Sequence, residues 1–194
     1  LGLVGSEMCI ETVRTADEII IDEVAYSSKW HAHSVKNKKG VALERIDPDA
    51  ATQDAANWTS ASETVGYGTP GYQNSQYKDA SSGDATGIEP PVWIEESGSY
   101  TVSYLLDRPG YSCRAFVFNT SGLRVADISN HELLGISGKI TWSGVANNGS
   151  PLQTGVYIFY AEIYHPEGTV KRFKKAFLIG DRGFIHKLPY TCLL

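Results

Sequence analysis

The chain has 194 residues, 42% hydrophobic and 20% charged, with 19 Gly and 8 Pro, which excludes a disordered or collagen-like protein. Seventeen Lys and Arg against 22 Asp and Glu give a net charge of −5, so the field of the whole chain opposes a nucleic-acid partner. The longest dense apolar run, Val156 to Ala161, has the length of a buried strand and falls far short of the ~18–20 residues of a helical membrane span.

The opening Leu1-Gly-Leu-Val-Gly5 lacks an initiator Met, a basic n-region and a full h-region, and reads as a processed or truncated end. Short Val-, Ile- and Tyr-rich segments then predict strands at Met8 to Val13, Glu18 to Tyr26 and Gly40 to Ile46. Asp47 to Trp58 has a capping Asp and several alanines but no apolar stripe, so a loop with one helical turn is expected. Tyr72 to Pro91 is polar, rich in Ser, Gly and Pro, and reads as a connecting segment. Beyond it, Val92 to Ile94 and an alternating Ser99 to Leu106 predict strands, with Tyr100, Val102, Tyr104 and Leu106 on one face. Ala115 to Phe118 and Leu123 to Ile128 flank Asn119-Thr-Ser-Gly122, whose Gly suits the positive-φ position of a tight hairpin. Gly138 to Trp142, Val156 to Ile163 and Thr169 to Ile179 follow. About seven strands in this half are what an immunoglobulin-like sandwich needs, and Tyr157 after Thr154-Gly-Val fits a tyrosine corner.

Cys9, Cys113 and Cys192 show neither a C-x-x-C nor a zinc-like spacing, and at most one pair can form. No nucleophile elbow, P-loop or dinucleotide fingerprint occurs, and His131-Glu-Leu-Leu-Gly135 has Gly where a zincin places its second His. His31 and His33, two apart in a segment read as extended, are weak metal candidates without an identifiable third ligand. Lys171-Arg-Phe-Lys-Lys175 reads as a strand with Phe173 turned to the core and lysines solvating an edge. Trp30, Trp58, Trp93 and Tyr111 are the candidate apolar anchors for a partner. Tyrosines in loops, Tyr67, Tyr72, Tyr77 and Tyr111, offer an alternative sugar-stacking surface.

Leu43-Glu44-Arg45-Ile46-Asp-Pro48, Asn57-Trp58 and Gly66-Tyr-Gly-Thr-Pro-Gly71-Tyr-Gln-Asn74-Ser75, in that order, resemble the C-terminal part of the bacterial lamin-tail domain. The resemblance implies an immunoglobulin-like sandwich used as a non-catalytic interaction module, here with its early strands shortened or missing. Residues 92–179 resemble the immunoglobulin-like domain of flagellar hook-capping proteins, in the version that follows lamin-tail modules in Bacteroidetes surface proteins. That likeness is carried by Arg108-Pro-Gly110, Phe116 to Val125, Gly138 to Gly144 with Trp142, Asn148-Gly149, Gly155-Val-Tyr157 and Val170 to Lys174 with Phe173. The family's acidic entry loop is replaced by Trp93-Ile-Glu-Glu-Ser-Gly-Ser, and its Trp-Asp-Gly by Trp142-Ser143-Gly144, so a family calcium role has no support here.

The expected architecture is therefore all-β: two tandem immunoglobulin-like β-sandwich modules, the first incomplete. The expected division is a partial lamin-tail-like module at 1–76, a linker at 77–91, a sandwich at 92–180 and a tail at 181–194. The expected function is that of a non-enzymatic, cofactor-free, extracytoplasmic docking protein. It would bind other proteins of a surface or outer-membrane complex through sandwich edges and loops, with a carbohydrate-binding accessory module as the alternative.

Overall fold

Seven-residue alternation at the start of the second half builds the first of two packed sheets. The computed structural model describes residues 8–78 and 86–180. Residues 79–85 of the expected linker, the tail 181–194 with Cys192, and residues 1–7 lie outside the described residues. The strands are β1 (Met8–Arg14), β2 (Ile20–Ser27), β3 (Leu43–Arg45), β4 (Trp58–Ser60), β5 (Gly87–Ile88), β6 (Val92–Ile94) and β7 (Ser99–Leu105). They continue as β8 (Ser112–Asn119), β9 (Arg124–Leu133), β10 (Ser137–Trp142), β11 (Gly155–Tyr164) and β12 (Val170–Ile179). No α-helix occurs among the described residues, and none is long and apolar enough to cross a membrane.

One four-stranded sheet runs β10-β7-β5, with β6 also on β7; the other runs β12-β11-β8-β9. All pairs are antiparallel. Between them lies one core of Val102, Tyr104, Ile140, Val117, Phe159, Ala161 and Ile163, each at most 5% exposed. Burial of this many large side chains, at roughly 1.5–3 kcal/mol each, is what closes the sandwich. The tyrosine corner forms as the spacing predicts: Tyr157 donates its hydroxyl to the Gln153 carbonyl at 3.0 Å. Gly122 takes φ +79° at the β8–β9 turn, and Asn119 Oδ1 accepts from the amides of Ser121 and Leu123 at 3.1 and 2.9 Å.

Gly87–Ile88 lies within the stretch read as linker, yet it pairs with β7 and puts Ile88 at 1% exposure in the core. The reason is register: Ile88 stands opposite Tyr104 on its inward face, and the polar sequence around it hides a single core contact.

The first module consists of two separate two-stranded sheets, β1-β2 and β3-β4, joined by loops and three short 3-10 turns. Its order is polar rather than apolar. Glu44, only 4% exposed, accepts from Thr69 Oγ1 at 2.5 Å, Ser75 Oγ at 2.7 Å and the Gln76 amide at 3.1 Å. Asn74 Nδ2 donates to the Arg45 carbonyl at 3.0 Å. Asn57 donates to the Asp47 carbonyl and accepts from its amide, both at 2.8 Å. These bonds join the L-E-R-I and T-P-G-x-x-N-S segments, since one buried carboxylate organises the irregular loop that follows it, while Asn57 of the N-W segment closes the loop back to Asp47. Gly71, at φ +79°, supplies the turn within that loop.

Hydrogen bonds tie residues 62–78 to the sandwich formed by β5 to β12. Ile136 donates its amide to the Ser75 carbonyl at 3.0 Å, Gln76 Nε2 donates to the carbonyls of Ser60 and Leu134 at 3.0 and 3.2 Å, and Ser62 Oγ donates to the Leu133 carbonyl at 3.0 Å. Lys78 Nζ reaches the Asp107 carbonyl at 2.7 Å.

Candidate functional site

Of the four sequence anchors, Tyr111 is buried and Trp30, Trp58 and Trp93 are half-buried. Tyr111 is fully buried, so it cannot serve as a surface anchor. Its ring lies against the His165 ring at 5.1 Å, with Lys171 and Arg108 at 5.5 and 5.9 Å from its centre. It is the turn Arg108-Pro-Gly110 that folds these groups over it. Trp93 is half-buried on Tyr100 at 5.1 Å, packed against the main core. Trp30 and Trp58 are half-buried against each other at 6.2 Å, and Trp58 Nε1 donates to the Thr52 carbonyl at 2.8 Å. Of the loop tyrosines only Tyr72 is strongly exposed, at 84%.

His31 and His33 do not lie on a strand. The segment is a 3-10 turn running into a second turn closed by Val35 N–H to the Ala32 carbonyl at 3.0 Å, so the two-residue alternation of a strand does not apply. His31 Nδ1 bonds to Ser60 Oγ at 2.9 Å, and burial, with Lys38 nearby, lowers its pKa. His33 is exposed. No group of three His, Cys, Asp or Glu residues able to hold a metal occurs among the described residues. Beside His31 a cleft of about 410 Å³ opens between the β1–β2 hairpin and β3–β4, walled by Val24, Tyr26, Val41, Leu43 and Trp58.

Trp142, Gly144, Gly149, Gly155 and Phe173 do structural work. Trp142 packs on Tyr100 at 5.5 Å and donates Nε1–H to the Val145 carbonyl at 2.9 Å. Gly144 and Gly149 take φ +78° and +83° in the loop that follows. Gly155 opens β11, and Phe173 packs from β12 against the core.

The surface that stands out is the outer face of the β12-β11-β8-β9 sheet. Register sets its rows: Val156 stands opposite Leu178, Ile158 lies between Ala176 and Phe118, and Tyr160 lies between Lys174 and Phe116. Val156, Ile158 and Leu178 are 51%, 37% and 57% exposed. Tyr160 stacks on Phe116 at 6.4 Å and meets Phe118 edge-on at 6.3 Å. Arg124 lies 3.9 Å from the centre of the Phe116 ring and Arg114 5.3 Å from it, which is cation–π distance. In the next row Glu162 stands between Arg172 and Arg114, bonded to Arg172 at 2.8 Å. Asp127 holds Arg124 and is itself held by Asn147, whose Oδ1 accepts the Asp127 amide at 2.8 Å. Four cations, Arg114, Arg124, Arg172 and Lys174, thus frame an aliphatic and aromatic strip against two carboxylates, Asp127 and Glu162.

Sequence reading missed this face, although a signal was present. A strand with one wet face alternates polar and apolar residues; one covered on both sides does not. Val156-Tyr-Ile-Phe-Tyr-Ala161 does not alternate. Tyr157, Phe159 and Ala161 fill the core, while Val156, Ile158 and Tyr160 point outward, with no further layer over them among the described residues.

Comparison with protein-family models and with curated protein sequences finds no match. Among solved structures, one similar chain is PorZ, described as an essential bacterial surface component of the type-IX secretion system of Porphyromonas gingivalis. That likeness has a TM-score of 0.29 at 17% identity, covering 48% of this chain and 11% of the PorZ chain.

Proposed function

We propose that this protein is a non-catalytic docking subunit of a bacterial surface or outer-membrane-associated assembly, bound through the outer face of its β12-β11-β8-β9 sheet. One observation carries the reading: β11 has the sequence of a strand covered on both sides, and among the described residues only one side is covered. Covering the roughly half of each side chain that Val156, Ile158 and Leu178 leave exposed would supply on the order of 1 kcal/mol apiece, and the framing arginines add orientation. The edge of the same sheet fits poorly as a docking line, because β12 carries Lys171, Lys174 and Lys175, the charges that discourage strand addition. The resemblance of both modules to those of Bacteroidetes surface proteins supports an extracytoplasmic setting.

The experiment is fractionation of the native host after replacing Ile158 by Asp, with the purified variant first shown to unfold at the wild-type midpoint. Wild type is expected in the envelope fraction, accessible to protease on intact cells, and the variant is expected to be released from it. Wild type confined to the cytoplasm, or a variant retained like wild type, would overturn the reading.

A further inference from the structure

A second element of this chain has the complementary sign. The β1–β2 hairpin exposes Ile10, Ile19, Ile20 and Ile21 and, on the face opposite Ile10, Val13, between 51% and 64%. A bulge after Val13 sets Ile20 opposite Arg14 and leaves Ile21 as the extra residue, so neighbouring isoleucines both face solvent. Two antiparallel strands cannot bury their own apolar side chains without a further layer. The hairpin also carries Glu11, Asp17, Glu18, Asp22 and Glu23 against one cation of its own, Arg14; Arg14 is paired with Glu18 at 3.0 Å and Asp22 with Arg45 at 3.4 Å, which leaves the hairpin acidic on balance.

We propose that the partner of the sheet face is a second copy of this chain, whose acidic, apolar hairpin packs onto the cationic, apolar face formed by β8, β9, β11 and β12. The proposal rests on the reading of that face as a docking surface and names what docks there. Sign decides the geometry. Hairpin against hairpin would oppose five carboxylates and one arginine to the same set, and sheet face against sheet face four cations and two carboxylates to the same set, each a pairing of like net charge. Only hairpin against sheet face joins opposite charges, so the contact is heterologous and each copy keeps one free surface of each kind. Length agrees: an eight-residue strand spans about 27 Å and the ten-residue β11 and β12 about 33 Å, so one hairpin lies across one sheet. Head-to-tail contact therefore extends into short open chains, weakened by salt.

The test is mass measurement by light scattering and sedimentation on the full chain, with Ile21→Asp and Ile158→Asp as separate variants, each checked for an unchanged unfolding midpoint. Wild type is expected to gain mass with concentration and lose it when salt is raised. Each variant alone is expected to lose the growth, and an equimolar mixture is expected to form a dimer and stop there, because one variant supplies the intact hairpin and the other the intact sheet face. If Ile158→Asp does not fold, Lys174→Glu takes its place, with Glu23→Lys as its compensating partner. Wild type that stays monomeric at every concentration, a single variant that still dimerises with itself, or a mixture without dimer would overturn the proposal. A monomeric wild type whose Ile158→Asp variant is nonetheless released from the envelope would identify the partner as another protein, leaving the docking reading in place.

Discussion

The carbonyl oxygen of Ser75 occupies the place where a side chain on Gly135 would begin: a Cβ there would lie 2.4 Å away. The same carbonyl accepts the Ile136 amide at 3.0 Å, so the close approach and the hydrogen bond are one contact. Through it the end of the first module's loop is seated on the second module between β9 and β10. Replacing Gly135 by Ala forces backbone apart at this seam. We expect a loss of about 1–3 kcal/mol in urea unfolding, with faster amide exchange at Ile136. Wild-type stability in the variant would show that the seam gives way without cost.

Glu44 should be the most sensitive polar position of the first module. Its carboxylate accepts three bonds from Thr69, Ser75 and Gln76 while only 4% exposed. Glu44→Ala leaves those donors without a partner, at on the order of 2–4 kcal/mol. Exchange protection should fall across residues 69–76 while β7 and β11 keep theirs. Equal loss in both modules would instead indicate that they unfold as one unit.

What was legible in the sequence follows from how each part is held. β7 could be read because its wet face alternates with its core face, and Tyr157 because a corner tyrosine has a fixed position relative to its strand. Glu44, Asn57 and Asn74 stood out as a motif, but their roles depend on bonds spanning ten to about thirty residues, which spacing does not encode. Trp58–Ser60 pairs with β3 over three residues only, too short for any periodicity. Tyr111 looked like a loop aromatic because it follows a Pro-Gly turn; the turn folds it inward. The outer sheet face was hidden for a different reason: a run apolar on both sides says that both sides will be covered, and not by what.

Asp107 ties the segment before β5 to the sheet. Burial alone would raise its pKa, yet hydrogen bonds from Thr86 and Lys171 and the Lys171 charge hold it well below the usual carboxylate range. Thr86 Oγ1 donates at 2.6 Å and Lys171 Nζ at 2.9 Å. A depressed folded-state pKa contributes stability that is present above the unfolded value of about 3.9 and is lost as pH falls toward the folded value. The stability difference between wild type and Asp107→Asn should therefore be constant above about pH 5 and shrink below about pH 4. A difference independent of pH down to about pH 2 would contradict the ionised role.

Cys113 and Cys9 should behave oppositely toward thiol reagents. Burial in the core, with Glu132 nearby, pushes the Cys113 thiol up to about 12, whereas Cys9 is exposed. Mass mapping after alkylation at about pH 8 should find the Cys9 peptide modified and the Cys113 peptide untouched until denaturant is added. Rapid native-state modification of Cys113 would mean that the core between β8 and β9 opens readily.

The account turns on which face of the sandwich meets a partner, and site-specific photo-cross-linking answers that most directly. A photoreactive residue is placed at Ile158, on the outer face of β11, or at Thr141, exposed on β10 of the opposite sheet, in the protein as expressed in its own cells. The account predicts protein adducts from position 158 and none above background from 141. Adducts from 141 with none from 158 would contradict it.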